Sequence, residues 1–280
     1  MQLISEQVSH HPPITAYRIN TPYNIHLTGY NGADLTFKSS GSIVVKQTGH
    51  AQLVITLPDN TRETYYVTLP ELKIQGLLAF SPYVELDKKT YILSSTGYLS
   101  TISYTGAGWV SGTKNSFTAT LSKDGKQLYK VSGQWTGEST YSSLVNSAKK
   151  DMPFWNAKIN APTHVVVAPV EKQSPWESRK VWGKVAEAIN KNDFEAAGRY
   201  KNAIEIAQRK MREEEQNSAQ EWKSRFFKWV EKDETACELQ AQLAALTKDA
   251  KLDVEVGSWV FAPDEEDAKA IDSGKLFEGA

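Results

Sequence analysis

The string Ser5-Glu6-Gln7-Val8-Ser9-His10-His11-Pro12-Pro13 sets two imidazoles side by side just ahead of two prolines. Such a segment cannot continue a helix, because Pro12 biases His11 toward extended backbone and proline offers no amide donor. Adjacent extended residues point to opposite faces, so both rings meet one ligand only where the chain kinks. Imidazole ordinarily titrates near pH ~6.5, so a converging pair can donate hydrogen bonds to an anion and take up protons as it arrives. From spacing alone, a partly exposed histidine pair in a leading loop is the plainer reading, and the anion site stands beside it. His26, His50 and His164 are scattered in or near strand-like stretches and read as packed or surface imidazoles.

Other constellations fail on chemistry. Gly106-Ala107-Gly108-Trp109-Val110-Ser111-Gly112 has the glycines of a phosphate cradle, but a strand-like Ser116-Phe117-Thr118-Ala119-Thr120 follows where a helix is required. A tight turn is the better account. No G-x-S-x-G elbow or H-E-x-x-H pair is present, nor a cysteine and histidine near enough to form a thiol nucleophile. Enzymatic chemistry therefore has little support. Cys237 is the sole cysteine, which excludes an intramolecular disulfide and a cysteine-based zinc cage within one chain. No metal and no cofactor is expected.

The elements that must position the histidines change character along the chain. Residues 14 to about 135 read as strands. Ile14–Ile19, Ser42–Lys46, Gln52–Leu57, Glu63–Leu69, Tyr98–Ile102 and Leu128–Ser132 are β-branched or alternating runs. Turn signals fall between them at Tyr30-Asn31-Gly32, Pro58-Asp59-Asn60 and Lys123-Asp124-Gly125-Lys126. No strand alternates with a helix, which disfavours a nucleotide-binding βαβ architecture. A long antiparallel sheet is expected to curl or close, because open edges are hazardous.

After Pro169 the period switches from two to 3.6. Ser174-Pro175-Trp176-Glu177 has the pattern of a helix start, predicting a helix to about Asn190. Asp193 is placed to cap a longer helix through Glu215, and Thr235–Leu246 is helical again. Trp222, Phe226, Phe227, Trp229 and Val230 form an aromatic cluster between those two helices. The expected class is a β-rich α+β fold: a large antiparallel, incomplete barrel-like sheet followed by a C-terminal helical subdomain. The expected division is sheet with signature loop over 1–136, a connecting segment over 137–173, a helical subdomain over 174–248 and a frayed acidic tail over 249–280. Within the connecting segment, Gly137 to Lys150 reads as a serine-rich loop.

Charge narrows the partners. Lys and Arg total 32 against 33 Asp and Glu, which argues against a broadly basic nucleic-acid binder. A local basic patch stays open. No window approaches the ~18 uninterrupted apolar residues of a membrane span, and the first residues do not form a signal peptide. Together with the single cysteine, this gives an expectation of a soluble, cytosolic protein.

Glu6-Gln7-Val8-Ser9-His10-His11-Pro12-Pro13 matches in full the signature of the oxysterol-binding-protein-related family, a long and specific motif. The resemblance continues through Gly29-Tyr30-Asn31, Val45–His50, Lys114-Asn115-Ser116-Phe117, Val131–Trp135 and Glu177–Trp182. It covers Ser5 to about Trp229, and the sequence is most similar to short members consisting of the lipid-binding domain alone. What it implies is a near-complete antiparallel barrel around one lipid, with helices packed outside. The implied activity is non-enzymatic exchange of a sterol, or another lipid, for phosphatidylinositol 4-phosphate between membranes. That implies transient membrane contact at Golgi or endoplasmic-reticulum surfaces or their contact sites.

The resemblance carries the 4-phosphate site onto His10 and His11, and onto the pattern Lys-x-x-x-Glu-x-x-x-Arg at Lys201, Glu205 and Arg209. Taken by themselves, positions i, i+4 and i+8 lie on nearly one helical face, spanning about 12 Å. An ordinary ladder of solvated ion pairs, each contributing ~0.2–0.5 kcal/mol, is the alternative. Asn31 and Gln47 match positions that line the family's tunnel, against strand-turn polarity and an outward residue as their plainer readings. Trp135, at a packed position in the family, is expected in the core. The resemblance also implies that the family's lid and first barrel strands lie upstream of the signature and are absent here. That leaves a second reading, a lipid-dependent regulator or scaffold with impaired transfer.

Overall fold

A computed structural model describes residues 1–39, 41–106, 112–145, 150–218, 222–247 and 257–272. They divide into two compact units: Met1–Pro162 with Phe227–Ala262, and Thr163–Phe226 with Pro263–Ala280.

The first unit is built on a 13-stranded antiparallel sheet. Its strands are β1 (Gln2–Ser9), β2 (Ile14–Asn20), β3 (Ile25–Phe37), β4 (Ile43–Thr56), β5 (Arg62–Thr68), β6 (Glu71–Gln75) and β7 (Tyr83–Asp87). They continue as β8 (Lys89–Ser94), β9 (Tyr98–Thr105), β10 (Ser116–Lys123), β11 (Lys126–Gln134), β12 (Glu138–Ser143) and β13 (Met152–Asn156). Neighbours follow chain order from β1 to β5 and from β8 to β13, with β5 against β8, while the β6–β7 hairpin branches from β4. Among the described residues no pairing joins β1 to β13, so the sheet is not closed into a barrel.

Register decides which side chains share a face, because strand residues alternate. One row runs Arg18, Thr28, Gln52, Tyr66, Leu93, Leu99 across β2, β3, β4, β5, β8 and β9. On this face helix α4 (Glu234–Leu246) packs, and Tyr66, Tyr91, Leu93 and Leu99 form a buried core with its Ala236, Leu239 and Leu243. A ribbon of β14 (Phe227–Val230) and β15 (Ser258–Phe261) joins the same unit, with Trp229 edge-on to both Tyr30 and Trp259. The next row runs Tyr17, Gly29, Ala51, Val67, Ile92, Ser100, Leu121 and belongs to the opposite face. That face is largely apolar, and Ile19, Leu27, Leu53, Val67 and Ile102 on it are only half-buried.

Several expectations are corrected here. Tyr30-Asn31-Gly32 is not a turn but the middle of β3. The glycine is there for packing, since a Cβ on Gly32 would sit 2.6 Å from the Thr48 hydroxyl on the paired strand. The runs Ser42–Lys46 and Gln52–Leu57 belong to one strand, β4, which passes through Gly49 at φ 100. Any side chain there would put its Cβ 2.2 Å from the Tyr30 carbonyl oxygen. The segment expected as a loop from 137 to 150 contains β12, and β13 follows, so the sheet extends past residue 136. Serine and threonine dilute the apolar alternation there, but Ser132 and Thr140 still pair across β11 and β12. Trp135 is half-buried rather than in the core, with its indole nitrogen shielded from solvent and without a partner.

The second unit contains α1 (Ser178–Val181), α2 (Gly183–Asn190), α3 (Phe194–Ser218) and α5 (Glu265–Asp272). The helix predicted to open at Ser174 starts later, at Ser178, and is interrupted at Trp182. Ser174 instead accepts the Glu177 amide through its carbonyl, forming a turn before the helix. Asp193 does cap α3, its carboxylate accepting the Ala196 amide at 2.9 Å. Val185 and Ala188 of α2 bury Ala196 and Ala197 of α3, with Ile204 packed alongside. The aromatic cluster is divided: Trp222 and Phe226 fall in this unit, whereas Phe227, Trp229 and Val230 fall in the sheet unit. The expected tail holds α5, where Asp267 is clamped by Arg225 through two hydrogen bonds of 2.7 and 2.5 Å. Residues 107–111 of the glycine loop, 248–256, and 273–280 of the tail lie outside the described residues. Among the described residues no helix is long and apolar enough to cross a membrane.

Candidate functional site

His10 and His11 stand at the end of β1. The β1–β2 ladder runs in register from Gln2 to Gln7, then shifts between Gln7 and Ser9 before a turn over His10 to Pro13. The turn contains a cis His11–Pro12 peptide, and Gln7 donates from Nε2 to the Ser9 carbonyl at 3.3 Å. Both histidines thus lie in the turn rather than in extended backbone, the departure that a converging pair needs. The two rings lie 4.3 Å apart between centroids, tilted by 50°, and both are exposed. Neighbouring exposed imidazoles present up to four ring nitrogens to a ligand arriving from solvent, and each protonated ring donates from both of its own.

Lys201, Glu205 and Arg209 share one face of α3, as their spacing requires. The Lys201 ammonium contacts one Glu205 oxygen, and the Arg209 guanidinium lies 3.7 Å from the other. One carboxylate thus sits between two cations and fixes where both point. All three are largely solvent-accessible, so the pairs themselves add little stability. The histidines belong to the sheet unit and this ladder to the helical unit.

Asn31 and Gln47 lie on the apolar face. Asn31 pairs with Thr15 on one side and Gly49 on the other, and Gln47 pairs with Ala33. The Gln47 amide donates to the Pro70 carbonyl at 2.7 Å, which holds it against the sheet. Asn31 is mid-strand rather than in a turn, and Gln47 shares its face with Val45 and Leu53.

Sequence reading treated His50 as one more scattered imidazole, and the structure gives it a defined role on the opposite face. It is 2% exposed, between the rings of Tyr30 and Tyr66 at 5.2 and 4.8 Å, with the Ser258 hydroxyl 3.4 Å from Nε2. Burial pushes its pKa down to about 4, opposed by the Asp233 carboxylate. It is a neutral packing group at pH 7. A second polar knot joins the Lys114-Asn115 motif to the sheet. Asn115, at φ 61, donates its amide to the buried Glu85 carboxylate at 2.9 Å and accepts the Trp135 amide at 2.9 Å. Among the described residues no group of three or more His, Cys, Asp or Glu side chains is placed to hold a metal ion.

The family model described as oxysterol-binding protein matches residues 1–187. The chain belongs to the oxysterol-binding protein family. Among curated relatives it is 43% identical over 240 residues to Protein kes1 of Schizosaccharomyces pombe, covering 83% of this chain and 60% of that one. It is 42% identical over 248 residues to Protein KES1 of Mycosarcoma maydis, covering 88% and 63%. The chain thus spans about three fifths of the length of these relatives. In fold it is similar to the Osh1 ORD domain solved in complex with ergosterol, with a TM-score of 0.74 at 18% identity, covering 99% of this chain and 67% of that one. It is also similar to the Osh3 ORD of Saccharomyces cerevisiae solved in complex with PI(4)P, with a TM-score of 0.64 at 18% identity, covering 99% and 69%. The expected β-rich sheet with C-terminal helices is this family's fold.

Proposed function

We propose that this protein binds a membrane lipid along the apolar sheet face and transfers it between membranes, exchanging a sterol for phosphatidylinositol 4-phosphate. The supporting observation is the group of half-buried aliphatic side chains on the sheet face opposite α4, among them Ile19, Leu27 and Leu53, with Asn31 and Gln47 on the same face. A few placed polar groups in an apolar surface are what orients a lipid with one polar end. The donors this reading assigns to headgroup phosphate are the rings of His10 and His11 and, on the helical unit, Lys201 and Arg209 with Glu205 between them, groups whose chemistry suits a phosphomonoester of about −1.5 to −2 charge. The Osh1 and Osh3 complexes supply the two ligand classes. On this reading the activity is binding and transport, without chemistry on the lipid. The protein works in the cytoplasm at Golgi or endoplasmic-reticulum surfaces, in transient contact with the bilayer and without nucleic acid.

The test is extraction of each lipid from liposomes. Replacing His10 and His11 together by Ala removes donors worth about 1.5–3 kcal/mol each and is expected to lower phosphoinositide extraction more than tenfold while sparing sterol. A Lys201→Ala, Arg209→Ala pair is expected to do the same. Equal loss of both lipids would assign these residues to the fold. The open path of the sheet from β1 to β13 favours one alternative, a lipid-dependent regulator that senses a lipid without enclosing it. In that case the chain binds lipid but moves none from donor to acceptor vesicles.

A further inference from the structure

The end of the apolar face remote from the β4–β5 turn carries large side chains into solvent. On β3, Leu35 and Phe37 are 56% and 78% exposed, and Phe37 pairs with Ile43 on β4, which pairs in turn with Ile74 on β6. The turn joining β6 to β7 then projects Leu78 and Phe80, 76% and 96% exposed. The two turns touch: a Cβ on Gly41, beyond β3, would lie 2.5 Å from the Leu78 side chain. The Gly76 carbonyl accepts the Ala79 and Ser81 amides, and the Leu77 carbonyl accepts the Phe80 amide, so the tip is a hydrogen-bonded turn that holds Phe80 outward at φ 51.

We infer that these paired turn tips are the surface by which the protein docks on a lipid bilayer, with Phe80 and Leu78 entering the acyl region. The inference rests on the lipid-binding reading of the apolar face. Two observations select a bilayer over a protein partner. The patch's most exposed side chains, Leu78 and Phe80, stand on one short hydrogen-bonded turn, with Leu35 and Phe37 at the strand end beside it. It is continuous through Leu35 and Phe37 with the face assigned to the lipid, so a lipid leaving the bilayer meets apolar side chains from the start. Charge is present as well: Lys73, on β6 behind the tip, is paired with Asp87 at 2.5 Å, and Lys38, next to Phe37, is exposed. Docking therefore rests on apolar insertion, with Lys38 placed to add attraction to anionic headgroups at low salt.

Vesicle flotation with neutral phosphatidylcholine liposomes tests this, alongside uptake of a fluorescent sterol delivered from cyclodextrin with no membrane present. Wild type is expected to float with neutral vesicles, and Leu78→Asp with Phe80→Asp to bind them at least tenfold more weakly while sterol uptake from cyclodextrin is unchanged. A nitrobenzoxadiazole probe on Phe80→Cys in a Cys237→Ser background is expected to shift to the blue and brighten on adding vesicles. Equal flotation of wild type and the double variant, or a probe unmoved by vesicles, would overturn the inference, as would loss of sterol uptake together with flotation. Flotation that depends on the tip in a protein that takes up no sterol would sustain the docking surface and sink the lipid-transfer reading instead.

Discussion

His50 illustrates how far a residue's role departs from its type. Its ring has an ordinary pKa of 6.5 and a folded value of about 4, because burial between Tyr30 and Tyr66 disfavours the imidazolium. The unfolded chain therefore binds more protons between those two values. Stability is complete above pH 6.5 and falls as pH drops through the window, by something on the order of 3 kcal/mol at its lower end. Urea midpoints measured from pH 4 to 7 are expected to show this slope, and His50→Gln is expected to flatten it even where its absolute stability is lower. An unchanged slope would mean that another group carries the acid sensitivity. His10 and His11, of the same type, are exposed and face solvent as a pair, which is where a ligand can reach them.

At the scale of elements, α4 is fixed to the sheet by one carboxylate used twice. Asp233 caps the helix by accepting the Ala236 amide at 3.0 Å, and it also accepts Gln52 Nε2 from β4 at 2.7 Å. Asp233→Ala is expected to cost about 2–5 kcal/mol, the sum of a cap and a hydrogen bond to a charged group. Asp233→Asn keeps the cap oxygen and should recover at least half of that in thermal denaturation. If both variants melt alike, the sheet contact outweighs the cap. Capping signals were legible where they follow the common grammar, as at Asp193, and misleading at Ser174, where the residue closes a turn and the helix opens four residues later.

For the whole molecule, an apolar face left half-buried has a thermodynamic consequence. A lipid that covers it binds the folded state alone and must raise stability by mass action, about 2.7 kcal/mol at a free concentration one hundred times Kd. Solubilised sterol is therefore expected to raise Tm in a concentration-dependent way, read by calorimetry, and a Tm indifferent to sterol would count against the lipid-binding face. The same measurement with a soluble phosphoinositide, in wild type and in the His10→Ala, His11→Ala variant, separates headgroup from tail.

The sequence by itself determined the family, through an octapeptide signature too long to arise by chance. It also determined the antiparallel sheet, through period-two runs, and the long capped helix that aligns Lys201, Glu205 and Arg209 on one face. These are local properties: a cap acts within one turn, and a helical face follows from spacing. Tertiary structure alone decided that Tyr30-Asn31-Gly32 lies within a strand, because small residues there answer to Thr48 on a neighbouring strand rather than to a turn. It likewise decided which side of the sheet is covered by α4. Alternation separates two faces but does not name the inner one, since that depends on partners brought from residues 227 to 262. The convergence of the histidine rings is of the same kind. Adjacent residues in a strand diverge, and it is the turn over residues 10–13 that brings the two rings within 4.3 Å of each other.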